Sequence, residues 1–193
     1  MLQISKRQKS DDMSDDLPRQ QGTAFAESLL ALIPVLFVES LGIELAHGYQ
    51  VRHLLTLALH ETARVAAVHH GNPKLWEPQL EQSLTRLYLP PGRFSSAAHR
   101  MEAERHHFRQ RYGLPLWHTE RIGAGVDTIH LKLTYLYRPM QAWLSVILRK
   151  LHVAAPVWAG SSPRSQSAWR QGLIPIVVEY RVLRHRSTSP HSF

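Results

Sequence analysis

The chain contains no cysteine in its 193 residues. Disulfides, thiolate metal sites and cysteine nucleophiles are therefore excluded, and either redox compartment is compatible with that absence. There is no Walker loop. Gly123-Ala124-Gly125 runs into Asp127-Thr128 and an alternating pattern rather than a helix, so it is not a dinucleotide fingerprint. Gly160-Ser161-Ser162 has no second glycine to make a nucleophile elbow. His60-Glu61 is followed by Arg64 and not by the second histidine of a zinc protease helix. No run of five basic residues and no internal repeat occurs. These absences leave no catalytic signature, and neither an enzyme nor a bound cofactor is expected.

Basic charge is present in excess. Lys and Arg total 23 against 15 Asp and Glu, a net charge of +8 with histidine neutral. The arginines are spread from Arg52 to Arg186, with denser patches at 100–111 and 181–186. Such a surface suits anionic lipid, an acidic partner or nucleic acid. Nucleic acid is disfavoured: Tyr135 and Tyr137 share a strand face with Ile129 and Leu131, which reads as core and not as a stacking platform. Thirteen histidines invite a metal reading, and His99, Glu102 and His106 share a helical face. A closed site needs four ligands, or three plus water; adjacent pairs such as His69-His70 diverge on a helix. No metal is expected.

The most informative stretch lies near the N-terminus. A polar leader carrying Lys6, Arg7, Lys9, Arg19 and four aspartates ends at Gly22. From Ala24 to Ala46 the chain is mainly apolar, interrupted by Glu27, Glu39 and Glu44 and containing Pro34. The clean run Leu29–Val38 is about 15 Å as a helix, too short to span a bilayer alone; the wider window of 23 residues is long enough. Glu27 falls near its start and Glu44 near its far end. A carboxylate deep in such a segment costs roughly 2.5–3.5 kcal/mol, so it has a partner or a task by default. Beyond it, Val51, Leu54, Leu55, Ala58, Thr62 and Val65 recur at helical spacing. Gly71-Asn72-Pro73 closes the pattern.

Gly22, the carboxylate five residues on at Glu27, the proline in the apolar run and Glu61-Thr62-Ala63-Arg64 near the stalk end resemble the TadE-like proteins of the tight-adherence (Flp, type IVb) pilus system. The resemblance implies cleavage by a prepilin peptidase between Gly22 and Thr23, an assembly role for Glu27, and a stalk pair of Glu61 with Arg64. As bare physics that pair, at i and i+3, is worth a few tenths of a kcal/mol, roughly. Two features depart from the family pattern: Ser28 stands where an aromatic or bulky apolar residue is frequent, and Glu39 and Glu44 are extra carboxylates in the span. They favour a minor pseudopilin over a major filament subunit.

The remaining chain predicts a helix over 77–89, broken by Pro90-Pro91-Gly92, and a charged helix over 97–112 closed by Gly113. Residues 113–127 read as loop. Thr128–Tyr137 and Ile174–Leu183 alternate as half-buried strands. The apolar stretch 141–151 is too short to cross a bilayer and is expected to pack on the sheet. Residues 161–167 read as a polar loop. The expected fold class is α+β: a cytoplasmic leader (1–22), a long transmembrane and stalk helix (23–70), a small periplasmic domain with helices and an antiparallel sheet (71–183), and a flexible tail (184–193). The expected protein sits in the bacterial inner membrane by a single pass. It meets the peptidase, membrane lipid, and other pilus subunits and assembly components. The alternative is an unprocessed single-pass envelope protein whose basic domain binds an anionic ligand or partner.

Overall fold

A computed structural model describes residues 17–125, 128–150 and 162–183. The leader up to residue 16, the tail from 184, Asp127, the end of the apolar stretch at Leu151 and the Gly160-Ser161 pair lie outside them. The chain divides into two compact units at Ile43/Glu44.

The first helix, α1, covers Leu17–Val68. It begins ahead of Gly22, so residues 17–22 are helical and not the irregular leader expected. Pro18 suits a first turn, where its missing N–H would be unpaired anyway. In the first unit the described side chains of this helix, from Phe25 onward, are almost all exposed. Leu30 is 74 % exposed, and Ile33, Leu36 and Val38 are also in the open. This is the helix long and apolar enough to cross a membrane.

Among the described residues the second unit carries the rest of α1, four further α-helices and a three-stranded antiparallel sheet. After α1, His70 and Gly71 turn into the left-handed region, and the Gly71 N–H donates back to Ala66 O at 2.8 Å. Helix α2 (Pro73–Leu84) starts at Asn72, whose side chain accepts the Lys74 N–H, with Pro73 in the first turn. It thus begins four residues before the expected Glu77. A 3-10 turn, Thr85–Tyr88, finishes it. Helix α3 (Ala97–Tyr112) has the expected bounds and ends at Gly113 as expected, and Ser96 caps its start.

Strand β1 (Trp117–Gly125) replaces the expected loop. Its sequence lacks apolar alternation because none of its described side chains is fully buried: β2 (Thr128–Tyr137) holds it through backbone hydrogen bonds. Strand β3 (Ile174–Leu183) pairs with the other edge of β2, from Thr128↔Leu183 to Tyr137↔Ile174. Helix α5 (Pro163–Arg170) replaces the expected polar loop: Ser162 Oγ accepts the Ser165 N–H and Pro163 opens the first turn. Helix α4 (Ala142–Lys150) does not pack into the sheet; it rests beside α5 and has no buried residue.

The core joins α1 to one face of the sheet. Leu55, Ala58, Leu59, Thr62 and Ala66 fall on one helical stripe, and Ile129, Leu131 and Leu133 fall on alternate positions of β2; all are buried. His60 meets Tyr180 edge-on at 4.9 Å between ring centroids, so α1 runs along β3 as well. The opposite sheet face is polar at one end, where His130 and Lys132 both reach Glu179. At its other end Leu136 and Pro175 are buried.

Candidate functional site

Four carboxylates lie along the described part of α1, and each has a different environment. Glu27 and Glu39 belong to the apolar stretch and are exposed. No hydrogen bond or ion pair to Glu27 or Glu39 occurs among the described residues. Gly22 and Thr23 precede them within α1. A helical Gly22 matters for the expected cleavage: glycine is about 1 kcal/mol poorer than alanine in a helix, so opening the chain there is less costly than elsewhere.

Glu44 is the opposite case. It is 4 % exposed and accepts three hydrogen bonds. The Tyr137 hydroxyl donates to Oε1 at 2.6 Å, the Met140 N–H to Oε1 at 3.1 Å, and the Gln141 N–H to Oε2 at 3.1 Å. The donors come from the end of β2 and the approach to α4. A buried carboxylate is tolerated when donors satisfy it in this way. Burial, then the Glu44 carboxylate, pushes the Tyr137 phenol well above its ordinary value, so it stays a neutral donor. The His47 ring lies 5.7 Å from the Tyr137 ring. Glu44 therefore belongs to the folded domain and is not a carboxylate of the span.

Glu61 corrects a second expectation. Its carboxylate takes Arg86 Nη1 at 2.7 Å and the Ser83 hydroxyl at 2.8 Å, both from the α2 region, while Arg64 points into solvent without an ion pair among the described residues. The i, i+3 pair does not form because Glu61 turns toward partners already fixed by packing: Ser83 is buried beside Leu84. The Arg86 guanidinium, and after it the Ser83 hydroxyl, hold the Glu61 carboxyl below its ordinary value.

No group of three or more metal-ligating side chains occurs among the described residues. Some of the described histidines take structural contacts, as in His118–Glu120 and His130–Glu179, each 3.3 Å. Tyr88 and Tyr135 meet through their hydroxyls at 3.3 Å. Burial raises both phenols, which suits a packed pair and not a proton acceptor.

Two features escaped sequence reasoning. One is the Glu44 node, whose signal was a carboxylate where apolar periodicity turns from all-round to one-sided. The other is an open cavity of about 570 Å³ lined by four arginines, Arg111, Arg138, Arg149 and Arg170. They are far apart in sequence and gave no local motif.

No protein-family model matches the chain, and neither a curated protein nor a solved structure is similar to it.

Proposed function

We propose that this protein is a TadE-like minor pseudopilin, processed by a prepilin peptidase and acting through assembly of its membrane helix. The observation that carries this reading is Glu27: a carboxylate without a described partner, five residues past Gly22, on an apolar helix whose side chains stand in the open. Low dielectric makes an unpaired charge costly, so such a group favours association with a cation. Cleavage after Gly22 creates one, the new amino group of Thr23. On a neighbouring subunit that amine, with an ordinary pKa of about 7.7–8.0, is mostly charged at neutral pH and offsets part of the cost.

The folded domain that follows the helix supports a subunit present in few copies. It is large against the helix it would have to pack beside in a filament. The basic residues Lys6, Arg7, Lys9 and Arg19 ahead of the apolar stretch support a cytoplasmic start and a periplasmic domain. The deciding experiment is N-terminal sequencing of the protein extracted from membranes. The expected first residue is Thr23, and replacing Gly22 with leucine should leave a full-length precursor. Mature protein beginning at Met1 overturns the pilin-like reading. A reporter active only in the cytoplasm, fused after Phe193, should be silent; activity there reverses the topology.

A further inference from the structure

Arg111 ends α3, Arg149 and Arg170 lie in the last turns of α4 and α5, and Arg138 follows β2. All four line the same 570 Å³ cavity. None has an acidic partner among the described residues, and no acidic side chain lines the cavity there. Arg149 donates its Nε–H to the Ser145 carbonyl at 3.3 Å, and the Arg111 guanidinium lies 5.7 Å from the centre of the neighbouring Tyr112 ring. A helix C-terminus favours a cation, which accounts for three of these arginines singly. It does not account for their convergence with a fourth from a strand end. Four like charges around one concavity repel one another, and an anion between them relieves that repulsion. Guanidinium forks match phosphate oxygens in pairs.

The cavity wall is fixed in place by Gly172. Its φ is +77°, and a Cβ there would lie 2.5 Å from the Ser145 carbonyl oxygen of α4. The turn after α5 therefore presses α4 closely, and no larger residue fits between them. That contact holds Arg149 and Arg170 on a common rim.

The position of the cavity in the chain points to the source of the anion. Met140 lines it, and the Met140 N–H is bound by Glu44, which directly follows the exposed apolar stretch ending at Ile43. Met140 is 63 % exposed, and Val146 and Ile147 of α4 are exposed too. Apolar side chains beside basic ones on a short helix suit the boundary between headgroups and acyl chains. We infer that this cavity binds a phosphate-bearing anion, presented as the headgroup of an anionic phospholipid where the apolar helix leaves the membrane. The inference rests on residues 25–43 crossing the membrane and not on cleavage at Gly22.

The full chain in a nonionic detergent is titrated by calorimetry with three probes: dihexanoyl phosphatidylglycerol, dihexanoyl phosphatidylcholine and inorganic phosphate. Saturable binding of phosphatidylglycerol, at least tenfold tighter than of the other two, is expected. The paired variant R138Q/R170Q should weaken it at least tenfold, and so, independently, should R111Q/R149Q. R52Q/R93Q removes the same charge away from the cavity and should leave it unchanged. Thermal unfolding of each variant checks that the fold survives. Inorganic phosphate binding as tightly, with the same losses in the cavity variants, keeps the phosphate chemistry and overturns lipid as its source. Absence of saturable binding, or equal losses in R52Q/R93Q, overturns the site.

Discussion

Helix α1 contains two leucine-rich stretches of opposite fate. Both are rich in leucine, valine and alanine, and both carry two of the described carboxylates. Between Phe25 and Ile43 the large apolar side chains are exposed, and Glu27 and Glu39 have no described partner. Between Glu44 and Val68 a single stripe of Leu55, Ala58, Leu59, Thr62 and Ala66 is buried while Leu45 and Leu57 stay exposed, Glu44 takes three donors, and Glu61 takes an arginine and a serine. The difference lies in how many polar residues each holds and where they fall: besides its carboxylates the second has His47, Gln50, Arg52, His53, His60 and Arg64, the first only Ser28 and Ser40. The second stretch interleaves polar residues at the helical period and so has one apolar face to cover with a sheet. The first is apolar all round, which suits a membrane or a bundle of other helices and not one side of a small domain. A polar group inside each stretch follows the same rule. The domain supplies partners for its own carboxylates, and whatever surrounds the span must supply them for Glu27 and Glu39.

The largest contrast is expected between two leucines of this helix. Leu59 is wholly buried, whereas Leu36 is exposed. Leu59→Ala should destabilise the domain by about 2–5 kcal/mol through lost burial and the cavity left behind. Leu36→Ala should leave domain unfolding unchanged within about 0.5 kcal/mol. Chemical denaturation of the full chain in detergent, followed by near-UV circular dichroism, measures both. Equal effects would mean that the two stretches are not distinct environments.

The carboxylates sharpen the same contrast at smaller magnitude. Glu44→Gln retains one acceptor oxygen and turns the other into an amide donor that faces an N–H or a hydroxyl. A hydrogen bond to a charged acceptor contributes about 1.5–3 kcal/mol, so a loss of about 2 kcal/mol is expected in the same assay. Tyr137→Phe removes the 2.6 Å donor alone and should cost about half as much.

Glu27→Gln and Glu39→Gln should not move domain unfolding measurably, because neither touches a described residue of the domain. If the proposed function holds, their effects belong in the membrane, and Glu27→Gln should leave insertion and cleavage intact while reducing co-purification with the proposed pilus partners. Glu39→Gln should be neutral or favour insertion, since it removes a charge from an apolar segment. If Glu39→Gln abolishes assembly and Glu27→Gln does not, the assembly role belongs to Glu39.

Much of this contrast was legible in the sequence, for definite reasons. The stripe from Val51 to Val65, the Ser96–Gly113 boundaries of α3 and the alternation of β2 and β3 are local patterns, set by periodicity and capping chemistry. β1 was not legible, because it is held by backbone pairing and buries none of its described side chains fully, unlike β3 at the other edge. α5 was signalled by Ser162-Pro163, but its polarity resembles a loop. α4 was misplaced onto the sheet because an apolar run does not reveal what covers it. The Glu44 node and the arginine cavity join residues from distant parts of the chain, and no window of sequence contains them. Glu61 was given Arg64 by spacing, whereas packing offered it Arg86.

That exchange of partners carries the smallest expected effect and a definite sign. The Glu61 carboxyl is held below its ordinary value of 4.5 by the Arg86 guanidinium first and the Ser83 hydroxyl second. A carboxyl depressed in the folded state stabilises the fold fully above its unfolded pKa, and that contribution is lost as pH falls through the folded value. The side chains of Arg86 and Glu61 are 54 % and 36 % exposed, so water screens the pair and only a few tenths of a kcal/mol, roughly, are at stake. Arg86→Gln should therefore be slightly less stable than the native chain at pH 7, and the gap should close as the pH is lowered from 6 to 3. Any acid-sensitive contribution from the rest of the fold is common to both proteins and cancels in the difference. Arg64→Gln should show no such pH-dependent gap. A gap that appears with Arg64→Gln and not with Arg86→Gln would restore the i, i+3 pair along the stalk and remove the link from α1 to the α2 region.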